Sequence, residues 1–161
     1  MFSQKYAIIA PLEALEVGTE FPSSGWPLHI TLADTFAIKR QETDFDSKLQ
    51  TLLANQKVVT VTVGDDEFFG PEKQTRVALL IPNEELRALH YTIVHLLKQE
   101  GATFNNPEYN EGGFRPHSTV QAHARLNKDE RVTISSLCLI DMFPNDDPYQ
   151  RRVLTKVNLH Q

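Results

Sequence analysis

Two short segments of the sequence repeat one arrangement of residues that suits acid–base chemistry. They read Pro-Leu-His-Ile-Thr-Leu and Arg-Pro-His-Ser-Thr-Val, so each has a proline shortly before a His-x-Thr triplet and an apolar residue after it. In an extended strand, side chains two positions apart lie on the same face. His29 therefore shares a face with Thr31, and His117 shares one with Thr119. The pattern predicts two strands that each present an imidazole beside a hydroxyl.

The opposite face of each predicted strand is suited to burial. In the first strand it carries three aliphatic residues, Leu28, Ile30 and Leu32. In the second it carries smaller and mostly apolar residues, Ser118, Val120 and Ala122. Because the two copies lie about half a chain apart, we predict an internal duplication in which both strands contribute to one shared cleft.

Two imidazoles that face one cleft suit general acid–base catalysis. Histidine titrates near pH 6.5, so one ring can accept a proton while its partner donates one. A hydroxyl from each strand can donate to oxygen atoms that gain charge in a transition state. The sequence leaves open which of His29 and His117 is the acid and which is the base.

Metal binding is the alternative interpretation of these two histidines. A zinc site needs three or four ligands drawn from Cys, His and carboxylates. No Cys or carboxylate lies at ligand spacing near His29 or His117, and threonine is a poor ligand, so we predict no metal. A lone histidine in a strand is commonly structural, but two histidines with matching threonines favour a catalytic pair.

Composition limits the class of partner. The 161 residues fit one domain, residues 1–161, with a core of ordinary size. The formal charge of −5 at pH 7 argues against a protein that binds long double-stranded nucleic acid, which requires a basic face. A nucleotide or an RNA end, held in a locally basic cleft, is still compatible with this charge. The expected assembly is a monomer.

Cellular location is inferred from the cysteine and from the apolar runs. Cys138 is the single cysteine and lies in an apolar stretch, which predicts a buried structural thiol rather than a nucleophile. The apolar run at residues 7–10 is too short for a signal peptide and is followed by Glu13 and Glu16. No stretch approaches the roughly 20 apolar residues of a membrane span. We therefore expect a cytoplasmic protein with no membrane partner.

Periodicity predicts an α+β fold. The expected strands are 6–12, 27–32, 58–63, 76–81, the second His-x-Thr segment, 132–141 and 152–159, with helices at 44–56 and 84–100. The helix at 84–100 has the clearest signals, because Asn83 can cap its start and Gly101 follows its end. Residues 13–27, 65–74 and 105–116 are predicted loops. Two similar halves would each hold a small antiparallel sheet backed by one helix.

The twin His-x-Thr motifs in a chain of this size resemble the 2H phosphoesterase superfamily, the LigT-like proteins known as 2′-5′ RNA ligases or RNA cyclic phosphodiesterases. This resemblance implies a bilobal fold of two pseudo-symmetric antiparallel-sheet lobes, with helices outside and a central cleft. It also implies metal-independent chemistry on phosphodiesters, commonly 2′,3′-cyclic phosphates or 2′-5′ linkages, without a cofactor. It would assign catalysis to His29 and His117, and phosphate binding to Thr31 and Thr119.

Several further residues are candidates for substrate contacts because of their chemistry and their place near the motifs or the last strand. They are Arg115, Phe114, Tyr149, Arg151 and Arg152. Arginine suits phosphate, and an aromatic ring can stack on a base. Trp26 and Phe69 are additional stacking candidates.

Three other histidines receive structural interpretations. His90 lies on the apolar stripe of the second helix and is predicted to be a packed core residue, whereas His95 faces the opposite way towards solvent. His123 is predicted at the surface beyond the second motif strand, with cleft lining as the alternative.

The sequence thus predicts a phosphoesterase that hydrolyses a nucleotide or RNA-end phosphodiester. One alternative runs the same chemistry in reverse and joins a 2′,3′-cyclic phosphate to a 5′-hydroxyl. The other is a non-catalytic module that only binds nucleotides or RNA, which would not require two titrating imidazoles.

Overall fold

The computed structural model describes residues 4–161 of the chain. Within that range the strands are β1 (Lys5–Pro11), β2 (Glu20–Pro22), β3 (His29–Ala37), β4 (Val59–Phe69), β5 (Thr75–Leu80), β6 (Thr103–Phe104), β7 (His117–Thr119), β8 (Arg131–Ile134), β9 (Ser136–Asp141) and β10 (Gln150–Asn158). The α-helices are α1 (Phe45–Leu52) and α2 (Glu84–Gln99). No helix among these residues is both long and apolar enough to cross a membrane.

The strands form two antiparallel sheets, which confirms the predicted bilobal α+β fold. The six-stranded sheet has the order β2-β10-β9-β1-β3-β6, and the four-stranded sheet has the order β7-β5-β4-β8. Each sheet takes strands from both halves of the chain. The two lobes therefore differ from the arrangement expected from the sequence, in which each half would hold its own sheet.

Helix α2 forms as its sequence signals predict. The Asn83 side chain accepts a hydrogen bond from the Leu86 backbone N–H at 2.9 Å, which satisfies one of the free donors at the helix start. Gly101 follows the helix end with φ of +81°, a conformation that glycine adopts without steric cost. The apolar side of α2 is buried, and the helix contacts both β3 and β4.

Strand β4 is longer than predicted, because residues 65–69 continue it into the expected loop. Asp66 explains why an acidic stretch tolerates this pairing, since it binds Arg76 and Arg125 at 2.8 and 2.6 Å. The turn is confined to residues 70–74, and Gly70 has a φ of +99° there. This extension carries aromatic residues up to the edge of the cleft described below.

The predicted strand 132–141 is interrupted at Ser135. Strand β8 before it pairs with β4, whereas β9 after it lies between β1 and β10 in the other sheet. Strand β7 ends at Thr119, so Ala122 is exposed and does not join the buried face that the sequence predicted. The loop 13–27 also contains a short strand, β2, paired with β10.

One large hydrophobic cluster connects the two sheets. It contains buried residues of β1, β3, β4, β5, β9 and β10 as well as the apolar stripe of α2. Phe36 of β3 and Phe45 of α1 are fully buried and pack edge to face within it. The sheets are therefore held against each other by a shared interior, which fixes the strands that border the cleft.

Candidate active site

The two His-x-Thr segments lie where the two sheets meet. Strand β3 is paired with β1 along one edge, but its other edge is paired with β6 only at Phe36 and Ala37. Strand β7 is the edge strand of the four-stranded sheet and pairs with β5 alone. Strands β3 and β7 contact each other without ladder hydrogen bonds between them. We call the space between them the cleft.

Burial along both strands follows the predicted alternation. His29 and Thr31 are half-buried, while Ile30 between them is fully buried. His117 and Thr119 are also half-buried, and Ser118 between them is 1% exposed. Each strand therefore presents its imidazole and its hydroxyl on the side away from the core.

The two imidazoles make the same hydrogen bond. His29 Nδ1 lies 2.8 Å from the Pro27 carbonyl oxygen, and His117 Nδ1 lies 2.8 Å from the Arg115 carbonyl oxygen. Because a carbonyl oxygen only accepts, each Nδ1 must carry the hydrogen. Neither Nε2 has a hydrogen-bond partner among residues 4–161, so in the neutral ring it is a free proton acceptor.

The threonine hydroxyls are similarly free. Neither Thr31 nor Thr119 makes a side-chain hydrogen bond to any residue that the structure describes. A half-buried hydroxyl without a protein partner can donate to a ligand at no cost in internal hydrogen bonds. The two strands that border the cleft therefore carry two imidazoles and two hydroxyls without protein partners among residues 4–161, and of these Thr31 and His117 line the cavity described below.

Each histidine packs against an aromatic ring, and an arginine guanidinium lies over that ring. The Trp26 ring lies 4.9 Å from the His29 ring, and the Phe69 ring lies 4.7 Å from that of His117. The guanidinium of Arg151 lies 5.7 Å from the Trp26 ring centre, and that of Arg115 lies 5.0 Å from the Phe69 ring centre. The two halves of the site thus share the order imidazole, aromatic ring and guanidinium, although the Trp26 ring is tilted by 33° to His29 and the Phe69 ring meets His117 edge to face at 74°.

Burial and nearby charges change the pKa values of both histidines. Burial lowers the pKa of His29, the bond to the Pro27 carbonyl partly opposes this, and a charge on His117 lowers it further. Burial also lowers the pKa of His117, against the raising effects of its backbone bond and of the Asp34 carboxylate. Both rings are therefore easier to deprotonate than an exposed histidine.

A cavity of about 530 Å³ opens beside Thr31 and His117. Its aromatic walls include Phe69 and Phe114, and its rim includes the exposed rings of Phe68 and Tyr109, whose exposed fractions are 51% and 55%. An opening of this size, with aromatic faces, suits a ligand of nucleotide size.

The cavity also contains charged side chains of both signs. Lys73 and Arg115 supply positive charge, while Asp34 and Glu67 supply negative charge. Arg115 is bound to Glu67 at 2.7 Å, so its charge is partly balanced by the protein itself. Lys73 lines the same wall and makes no ion pair with residues 4–161.

The structure brings some of the predicted substrate contacts to the cavity and leaves others away from it. Phe114 and Arg115 line the cavity. Arg151 instead donates through Nη1 to three backbone carbonyls, those of Met142, Pro148 and Gln150. Arg152 is bound to Glu20 at 2.8 Å, and Tyr149 is 74% exposed outside the cavity. Trp26, a stacking candidate, packs against His29 instead.

The sequence did not single out Asp34, Lys73, Phe68 or Tyr109. The position of Asp34 in the cleft could not be predicted from strand alternation, because the pairing of β3 with β1 is irregular: Ile8 pairs with Ala33 while Ile9 pairs with Thr31. This bulge at Leu32 places Asp34, an even position, on the cleft side after Thr31, and a second register shift between Tyr6 and Ile8 returns the even position Phe36 to the core. Strict alternation from Thr31 would have placed Ala33 in the cleft, and Ala33 is 2% exposed.

No group of three or more His, Cys, Asp and Glu side chains in the described part of the chain is arranged to hold a metal ion. His123 is exposed and bound to Glu13 at 2.8 Å, which in turn accepts from the Leu28 backbone N–H. It therefore lies at the surface beside the start of β3, and β7 does not extend to it.

Comparison with known proteins identifies the family. The family model of the 2′-5′ RNA ligase superfamily matches residues 6–142. No curated protein sequence matches the chain at a significant level. The crystal structure of a phosphoesterase is similar with a TM-score of 0.61 at 21% identity, covering 99% of this chain and 100% of that chain. The structure of E. coli LigT complexed with NADP⁺ also gives 0.61, at 18% identity, and covers 99% of both chains.

A further structure of E. coli LigT, complexed with 3′-AMP, has a TM-score of 0.59 at 18% identity and covers 98% of this chain and 99% of that one. At such identities the solved structures establish a common fold, and the family model supplies the membership. The resemblance drawn from the twin motifs is confirmed, and the chain belongs to the 2′-5′ RNA ligase superfamily.

Proposed function

We propose that this protein hydrolyses a phosphodiester in a nucleotide or at an RNA end, either a 2′,3′-cyclic phosphate or a 2′-5′ linkage. Catalysis would use His29 and His117 and no metal ion or cofactor. One observation carries the proposal. Both imidazoles, on the two strands that border the cleft, donate from Nδ1 to a carbonyl two residues earlier in the chain, and neither Nε2 is hydrogen-bonded to residues 4–161.

The proposed step is an in-line displacement at phosphorus. The neutral imidazole accepts a proton at Nε2 from the attacking water as the new P–O bond forms. The protonated imidazole donates its Nε2 proton to the leaving oxygen as the other P–O bond breaks. The hydroxyls of Thr31 and Thr119 donate to the non-bridging oxygens, whose charge must be stabilised in the transition state.

The charges around the two rings favour one assignment of roles for hydrolysis. The Asp34 carboxylate raises the pKa of His117 and so favours its protonated form, although burial is the larger effect and lowers this pKa, as the Arg115 guanidinium also does. A charge on His117 lowers the pKa of His29, which is already lowered by burial. Because Asp34 acts on His117 and not on His29, we propose His29 as the base and His117 as the acid in hydrolysis, with the roles exchanged when the reaction runs in reverse.

A nucleotide is the proposed substrate class because of the cavity beside His117. Phe68 and Tyr109 expose aromatic faces on which a base could stack, and Lys73 adds a positive charge. The similar fold of E. coli LigT has been solved in complexes with NADP⁺, 3′-AMP, ATP and phosphate. Those ligands share a phosphate group, and most carry a base.

The test is turnover of 2′,3′-cyclic mononucleotides by the wild-type protein and by His29→Ala and His117→Ala. Each single variant should lose about 10² to 10⁴ in rate, while its circular dichroism spectrum stays native. The double variant should lose far less than the product of the two losses, because the histidines act as a unit. His95→Ala is the matched control, since His95 is an exposed histidine on α2.

The same assay with EDTA tests the metal-free mechanism. Activity should survive exhaustive chelation, whereas loss with EDTA and recovery with added zinc would overturn the mechanism. Near-normal rates in either alanine variant would remove the acid–base assignment. Binding of the cyclic nucleotide without turnover would indicate a binding module instead, and joining of a 2′,3′-cyclic phosphate end to a 5′-hydroxyl end would indicate the ligase reaction.

A further inference from the structure

His90 is a buried titratable residue that the proposed reaction does not use. It lies on α2 and is 1% exposed, as predicted for a core residue. Both of its ring nitrogens are nevertheless engaged. Nδ1 lies 2.7 Å from the Leu32 carbonyl oxygen, and Nε2 accepts from the Glu111 backbone N–H at 2.9 Å.

These two bonds reach the two sides of the cleft. Leu32 follows Thr31 in β3, so the first bond holds the backbone beside one of the phosphate-binding hydroxyls. Glu111 belongs to the loop that carries Phe114 and leads into β7, so the second bond holds the part of this loop that forms the cavity wall. A single side chain is therefore bonded both to β3 and to the loop before β7.

The imidazole also supports the wall of the cavity. The Phe114 ring stacks on the His90 ring with a centre-to-centre distance of 3.8 Å and an interplanar angle of 3°. Phe114 in turn lines the cavity, as His90 itself does. The stack therefore fixes one aromatic face of the substrate cavity against α2.

The bonding pattern requires a neutral ring. The Leu32 carbonyl can only accept, so Nδ1 carries the hydrogen, and the Glu111 N–H needs the lone pair of Nε2. Burial lowers the pKa of His90, against the raising effects of the Leu32 bond and the Glu111 carboxylate. Glu111 is itself paired with Lys98 of α2. The ring thus remains in the one form that satisfies both partners.

A space-filling role alone does not account for a histidine at this position. The neighbouring positions of the buried stripe hold Leu86, Leu89, Ile93 and Leu97. Burying an imidazole is costly unless its polar atoms are paired, and here both are paired with backbone groups of other segments. The two hydrogen bonds and the stacking contact therefore explain why position 90 holds a histidine.

We propose that His90 is a positioning residue, which sets the separation between the Thr31 strand and the loop carrying Phe114 and leading to His117. This inference rests on the proposed function. The Leu32 bond positions the phosphate-binding side and should affect kcat. The Glu111 bond and the Phe114 stack position the cavity wall and should affect KM.

Three substitutions separate these effects. His90→Asn places an amide donor near the Nδ1 position and keeps the bond to Leu32 only. His90→Gln places an amide oxygen near the Nε2 position and keeps the bond to Glu111 only. His90→Phe keeps the ring and its stacking face but loses both bonds. The same three substitutions at Thr92, exposed on the same helix, are the controls.

Steady-state kinetics on a 2′,3′-cyclic mononucleotide give the main result. His90→Phe should lose about 10-fold to 10²-fold in kcat/KM, as expected when reacting groups are displaced slightly. His90→Asn should retain kcat with a raised KM. His90→Gln should lower kcat and raise KM less than His90→Asn does, because it keeps the Glu111 bond but has no ring on which Phe114 can stack. The positioning role is wrong if kcat and KM change to the same extent in the Asn and Gln variants, or if neither changes. This conclusion holds whether or not the Phe variant folds.

Amide hydrogen exchange provides a result that does not depend on turnover. The Glu111 amide should exchange slowly in the wild type and in His90→Gln, and faster in His90→Asn. If the wild type showed this exchange pattern but no activity, the proposed function would be contradicted. The positioning of Leu32 and Glu111 by His90 would still be supported. Equal exchange rates in all variants of an active protein would contradict the role of His90 alone.

Discussion

Replacing Thr31 or Thr119 with valine tests the proposed phosphate-binding hydroxyls more directly than any other change. Valine keeps the shape and the strand preference of threonine and removes only the hydroxyl. Because neither hydroxyl is bonded to residues 4–161, its removal costs the folded protein no internal hydrogen bond. The free energy of unfolding should therefore change by no more than about 0.5 kcal/mol, the usual range for substitutions that disturb no feature of this kind.

The effect on the reaction should be much larger. Each hydroxyl would donate to a non-bridging oxygen as charge develops there, and loss of one such donor costs about 10² to 10³ in kcat. That range corresponds to about 2.7 to 4 kcal/mol in the activation free energy. The structure thus predicts a large loss in rate with almost no change in stability for both variants.

Thr155→Val is the matched control with the opposite pattern. Thr155 is 6% exposed on β10, and its hydroxyl donates to the Asp46 carboxylate at 2.6 Å. Losing a hydrogen bond to a charged group should cost about 1.5 to 3 kcal/mol in unfolding free energy and leave kcat unchanged. Thr155 lies four residues beyond Arg151 on β10 and is not among the residues that line the cavity.

The assay combines steady-state kinetics on a 2′,3′-cyclic mononucleotide with urea unfolding of the same preparations. Wild-type kcat in both Thr31→Val and Thr119→Val would refute the reasoning. The phosphate would then have to be held by Lys73, Arg115 or backbone N–H groups. A rate loss matched by an equal loss of stability would also refute it, because it would show that the hydroxyls support the fold.

Two further predictions follow from the pKa directions. A plot of kcat/KM against pH should be bell-shaped, and since burial lowers the pKa of both His29 and His117, both limbs should lie at lower pH than for two exposed histidines. A pH–rate series checks this, and a single rising limb near neutral pH would favour a metal-bound water. Burial raises the pKa of Cys138 to about 11, so a thiol reagent at about pH 8 should react only after unfolding, and rapid labelling of native protein would contradict this.

Features governed by nearby residues were predictable from the sequence. The start of α2 depends on Asn83 and the following turn, and its end depends on Gly101, so the predicted helix 84–100 agrees with the observed Glu84–Gln99 to one residue. The two motif strands depend on a two-residue period that is visible within six positions. Their placement side by side followed from the repetition of the motif, and the structure shows them in contact.

Features that depend on distant pairing were not predictable. Nothing within residues 132–141 signals that Ser135 divides two strands of different sheets, because each is apolar enough to be a strand. The bulge that directs Asp34 towards His117 exists only in the pairing of β3 with β1. Phe68 and Tyr109 meet at one cavity although they come from segments far apart in the sequence.

The interleaving of the two sheets has a consequence for how the chain reaches its native state. The chain moves between the sheets after β3, β5, β6 and β8, and the β1 strand finds its second neighbour only in β9. Neither sheet can form from one continuous stretch, so loop-closure entropy must be overcome before most pairings contribute. The local pairs β4–β5 and β9–β10 can form early, but we expect the two sheets to be completed slowly and only after β9 has been synthesised. The two His-x-Thr segments, although repeated, would then be unable to exist as separable units.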